Sequence, residues 1–169
     1  MRNLNSKKLS ILVALVMMIS MVAGMSVTAQ AENNNPSILF NNITPEITQS
    51  DMLSHGTDTD TYIRMKKGVP QSFYVEGMTV EHFLEVYNTS NTDPDSITLS
   101  SPDNTHNPNV PYVKTIQRPA AGWGKAMITW VRKTSEGSPN NLINGTLDFA
   151  VDNSPANQWV KNVTIMTTN

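Results

Sequence analysis

Residues able to do chemistry are few in this chain, and they are scattered. Three histidines, His55, His82 and His106, stand far apart in the sequence, and none lies in a motif that would set it beside a nucleophile or a metal. The chain holds no G-x-S-x-G, no H-E-x-x-H and no phosphate-cradling glycine loop. Hydrolysis needs a nucleophile next to a base, or two carboxylates about a cleft. No residue is therefore assigned a catalytic role, and the expectation is a non-enzymatic protein. Cysteine is absent, which excludes thiol catalysis, disulfide frameworks and thiolate metal sites.

Two features remain that could bind something. Asp58 and Asp60 are two residues apart, so on an extended chain their carboxylates point the same way. Hard oxygen ligands of this kind suit calcium, which takes about six to eight of them. The others would have to come from Asp93, Asp95 or Asp103 after folding, and the D-T-D spacing is not that of an EF-hand loop. A polar, turn-rich loop is the plainer expectation, and no other cofactor is indicated. The second feature is Trp123, held between Gly122 and Gly124 in the stretch RPAAGWGKAMITWVRK. Neither glycine has a side chain to cover the ring, so the expectation is an aromatic at a loop tip or strand entrance, with Tyr112, Arg118 and Lys125 around it as a ligand-binding group. The alternative is a ring folded back over the sheet edge as a lid on the core. Trp159 shares that ambiguity. Trp130 shares a face with Ala126 and Ile128 and is expected in the core.

The elements that must carry these residues follow from patterning. Residues 1–31 resemble a secretory signal peptide: Arg2, Lys7 and Lys8 precede an apolar run from Ile11 to Gly24, and Ala29-Gln30-Ala31 supplies a small-x-small cleavage pattern. That run is short for a membrane span. The leader holds three of the 12 cationic residues and none of the 14 acidic ones, leaving nine against 14 and a net charge of −5 in residues 32–169. No basic tract survives to hold nucleic acid. An exported, cysteine-free chain of this style points to a bacterial source, and to secretion or non-covalent retention at the cell surface.

Residues 32–60 are rich in Asn, Thr, Ser and Pro and are expected to form a polar arm with one strand, 37–41. Residues 61–169 are expected to form a single domain of short strands at 62–66, 71–76, 82–87, 96–100, 112–117, 125–133, 146–151 and 159–167, with a short helix over 79–84 as the alternative for part of the third. Ile63 and Met65, Phe73 and Val75, Leu84 and Val86, Ile97 and Leu99, Leu147, Phe149 and Val151, and Val163 and Ile165 alternate at period two. Strand 125–133 carries apolar residues on both faces, Met127, Thr129 and Val131 opposite Ala126, Ile128 and Trp130, and so is expected to be central. The connectors, Lys67-Gly68 and Glu76-Gly77 among them, are turn formers. This rhythm predicts an all-β protein, an antiparallel two-sheet sandwich of immunoglobulin-like or jelly-roll type, with a barrel as the rival. Sequons at Asn42, Asn88, Asn144 and Asn162 are expected from composition and are given no role.

The stretches YIRMKKGVPQSFYVEG and AAGWGKAMITW resemble the opening and the late strand of bacterial immunoglobulin-like surface domains, with Gly124, Ala126, Ile128 and Thr129 at matching places. The resemblance covers residues 61–133, and two further strands follow where that family ends. It implies an exported adhesive or spacer module and carries over no functional residue. The expectation is a secreted module binding an extracellular partner, either an envelope polysaccharide or a protein. A self-associating surface protein and a small extracellular enzyme or toxin are the alternatives.

Overall fold

In a computed structural model, residues 35–90, 93–104, 107–134 and 145–169 are described. Residues 34–169 form one compact unit. The elements are β1 (Ser37–Phe40), β2 (Ile47–Thr48), α1 (Gln49–Ser54), β3 (Asp58–Lys66), β4 (Val69–Thr79), α2 (Val80–Tyr87), β5 (Ser96–Ser101), β6 (Tyr112–Gln117), a 3-10 turn (Trp123–Lys125), β7 (Ala126–Lys133), β8 (Asp148–Val151), β9 (Ser154–Pro155), a second 3-10 turn (Ala156–Gln158) and β10 (Ile165–Thr168).

The chain is mostly β. Its strands form two five-stranded sheets, ordered β2-β1-β10-β5-β6 and β8-β7-β4-β3-β9. Most neighbours are antiparallel, but β1 pairs with β10 and β3 with β9 in parallel, so both sheets are mixed where wholly antiparallel ones were expected. Each parallel pair joins segments distant in sequence, where no tight turn dictates direction. Strand β7 lies between β4 and β8, the central place its two apolar faces require.

One apolar cluster joins the sheets. It includes Ile38 and Phe40 of β1, Ile97 and Leu99 of β5, Ile116 of β6 and Met166 of β10, together with Ala126, Ile128 and Trp130 of β7 and Phe149 and Val151 of β8. A second, smaller cluster of Tyr62, Val75, Met127, Ala150 and Trp159, with Phe73 packed on it, lies on the other face of the second sheet. The alternation along β7 sends Met127 to one face and its neighbours Ala126 and Ile128 to the other.

Several expectations are corrected here. The stretch foreseen as a polar arm is part of the fold from β1 onward: Ile38, Phe40 and Met52 are buried, and α1 opens on a capping box in which Thr48 Oγ1 accepts from the Asp51 N–H at 3.1 Å while Asp51 accepts from the Thr48 N–H at 2.9 Å. Residues 82–87 are helical rather than extended. Val80, Phe83 and Leu84 are buried at helical spacing, and Thr79 caps the first turn by accepting from His82 N–H, so the Leu84/Val86 alternation was too short to separate the two periods. Gly77 does not end a strand. It sits in β4 at a bulge opposite β7, where an added Cβ would lie 2.1 Å from the Ile128 carbonyl oxygen, a closeness only glycine allows. On β3 the alternating pair Ile63 and Met65 shares a half-exposed face, while Tyr62 is buried. At the end of the chain Val163 and Met166 are buried and Ile165 is exposed, and the strand begins at Ile165, not Trp159.

Candidate functional site

An open groove of about 620 Å³, within the size range of small-ligand sites, is lined by Arg64, Pro102, Asp103, Asn104, Pro108, Tyr112, Ala156, Trp159, Val160 and Lys161. Three segments build it. Strand β3 presents Arg64. The connector that leaves β5 and the first residue of β6 present Pro102, Asp103, Asn104, Pro108 and Tyr112, where Asn104 Nδ2 donates to the Val110 carbonyl at 2.9 Å and Asp103 N–H donates to Ser101 Oγ. The turn after β9 presents residues 156–161. That turn is fixed by the parallel pairing of Arg64 with Ser154 and by Trp159, whose indole N–H donates to the Val151 carbonyl at 2.8 Å.

Six of the ten lining residues are apolar or aromatic, and the charged ones are two cations and one acid. The guanidinium of Arg64 lies 4.6 Å from the Phe73 ring centroid and 5.5 Å from that of Trp159, a stacking arrangement that suits its planar, weakly hydrated cation. Burial lowers its affinity for the proton, and the charge of Arg132 adds to that. Arg132 is itself held at 3.1 Å by Asp148. Burial pushes the Asp148 carboxyl up, against the opposing hydrogen bond from the Asn162 N–H at 2.9 Å and the charges of Arg132 and Lys161. The arrangement can grip a ligand by apolar contact and by cationic hydrogen-bond donors. Among the described residues it sets no nucleophile beside a base.

Of the residues foreseen as a ligand site, only Tyr112 lies on this groove. Trp123 is corrected: it is 1% exposed, and its indole N–H donates to the Pro94 carbonyl at 2.9 Å. The cause is Gly122, whose φ of 86° turns the chain so that a 3-10 turn aims the ring inward. The flanking glycines thus serve the burial of the ring instead of its display. Arg118 is exposed on the far end of β6 and paired with Asp93. Lys125 meets Asp60 at 3.4 Å. The four residues do not form one site.

The carboxylates foreseen for calcium are engaged separately. Asp58 Oδ2 accepts from the Thr79 N–H at 2.8 Å and lies 3.5 Å from His82 Nδ1, which ties β3 to the start of α2. Asp60 accepts from the Thr61 N–H and faces Lys125. Among the described residues no group of three or more His, Asp or Glu side chains is placed to hold a metal ion, so Asp93, Asp95 and Asp103 do not complete the pair. His55 caps α1 and packs edge-on to Tyr87 at 5.6 Å. His106 and Asn144 lie outside the described residues. Asn162, one of the sequons, turns at a φ of 48° and donates from its side chain to Asp103 at 3.1 Å.

Arg64, Lys161 and the groove face of Trp159 were not foreseen as a unit. The available signal was an arginine alternating with the aromatic Tyr62 along one face of β3, and it required the correct register to be read. No protein-family model matches this chain, and a search of curated proteins finds no match.

Proposed function

We propose that this is a secreted, non-enzymatic module of bacterial surface type, exported by its leader, which binds an extracellular partner, an envelope polysaccharide or a protein, through the groove lined by Arg64, Tyr112, Trp159 and Lys161. The two sheets are taken to pack as a β-sandwich of immunoglobulin-like or jelly-roll kind, with the groove at one border of the second sheet. The observation that carries this reading is the convergence of Tyr112, Trp159, Arg64 and Lys161 from three separate segments on one concavity. Tryptophan, tyrosine and arginine are the side chains most often found to carry binding energy at interfaces. The module requires no cofactor in this reading.

The test is capture of producer envelope material and of host glycans and proteins by the secreted chain, compared with its Tyr112→Ala variant. Loss of capture per folded molecule supports the groove as the binding face, and undiminished capture per folded molecule by the variant refutes it. A second reading, self-association, is favoured by β6, which is the border strand of the first sheet and lies beside the exposed Val110 and Val113; unpaired border strands are templates for pairing. Light scattering that shows a monomer across a wide concentration range removes it.

A further inference from the structure

The groove contains a cation that lacks an anion. Arg64 makes no ion pair among the described residues; one terminal nitrogen donates to Gln71 Oε1 at 2.8 Å, and its Nε is buried with no hydrogen-bond partner. Its nearest charged influence is repulsive, from Arg132. Lys161, on the same groove, also lacks an ion pair among the described residues and is exposed. The single acid on the lining, Asp103, turns one oxygen to Asn162. An arginine half-buried against two aromatic rings, with no counter-ion among the described residues and a second cation on the same groove, is arranged to receive a negatively charged group, because such a group supplies the missing charge.

The rest of the lining describes the ligand's body. Pro102, Pro108, Tyr112, Ala156, Trp159 and Val160 present apolar surface, whereas a sugar needs a polar partner for most of its hydroxyls. The groove is open along its side, so a free acyl chain would leave much of its tail in water. A chain that continues out of the groove meets both conditions.

Resting on the reading of this groove as the binding site, we propose that it takes the end of a peptide, its C-terminal carboxylate on Arg64 and Lys161 and its last apolar side chains against Tyr112, Pro108 and Trp159.

The test titrates the secreted chain with N-acetyl-Leu-Phe and with the same peptide amidated at its C-terminus, following backbone amide NMR shifts. The expected result is movement of the Tyr112, Ala156 and Lys161 resonances, with the acid binding at least about tenfold more tightly than the amide. Arg64→Gln should abolish the difference. Lys161→Gln, on an exposed side chain that the fold does not need, should reduce it even if the Arg64 variant does not fold. Arg118→Gln should leave it unchanged. Equal binding of acid and amide in the groove overturns carboxylate recognition but leaves the groove as a binding site. Tighter binding of decanoate or of a glucuronate oligosaccharide overturns the peptide as occupant. If neither peptide binds, this inference falls, and capture by the Tyr112→Ala variant decides the proposed function independently.

Discussion

The two faces of the second sheet are built from alternate residues of the same strands, yet they are closed in different ways. On the inner face Ala126, Ile128 and Trp130 join apolar side chains of the first sheet in one buried cluster. On the outer face Tyr62, Val75, Met127 and Ala150 are covered by Trp159, and the border is finished by arginines: the guanidinium groups of Arg64 and Arg132 lie 4.6 and 5.9 Å from the Phe73 ring centroid. Burial by a sheet gives stability alone. Burial by a turn and two cations leaves a polar, partly open border that can also take a ligand.

This contrast can be broken most forcefully from the inside. Trp123→Ala removes a ring that is 1% exposed and a hydrogen bond to Pro94, and it should cost about 3–5 kcal/mol in urea unfolding. It should leave partner affinity per folded molecule intact. A loss near zero would mean that the ring is not in the core.

On the outer face the effects should be smaller. Arg132→Gln leaves Asp148 buried without its cation; with Arg132 20% exposed, the loss should be about 2 kcal/mol, short of that for a fully buried pair. Asp148→Asn should act through pH. A carboxyl whose folded-state pKa is raised binds its proton more tightly in the folded chain, so its contribution is present below the ordinary carboxylate value and is lost as pH rises through the raised one. The stability of the natural chain relative to the Asn variant should therefore be highest in acid and decline toward neutral pH, as read from melting curves across that range.

Much of the fold was legible because the strands that matter most carry strong patterns. Strand β6 lies where alternation puts it, β5 and β7 begin or end within one residue of expectation, and the central position of β7 follows from its double apolar face. What escaped was decided by tertiary contact. A span of eight residues, Val80–Tyr87, satisfies helical and extended periods equally until Thr79 caps it. Gly77 looks like a turn until β7 presses against it. The candidate site escaped for a related reason: its parts are 48 and 47 residues apart in sequence, at Arg64, Tyr112 and Trp159, and the parallel pairing of β3 with β9 brings the turn after β9 to β3. The glycines around Trp123 were visible, but whether they expose a ring or let it turn inward depends on a backbone angle that composition does not specify.

The central claim is that binding belongs to the outer border and not to the tryptophan between glycines. Its most direct test measures partner capture per folded molecule for Tyr112→Ala and Trp123→Phe side by side, each with its unfolding curve. The account predicts that Tyr112→Ala loses capture per folded molecule, beyond the roughly 1–2 kcal/mol of stability its contact with the core contributes, and that Trp123→Phe loses stability while capture per folded molecule persists. Capture that follows Trp123 and ignores Tyr112 would contradict it.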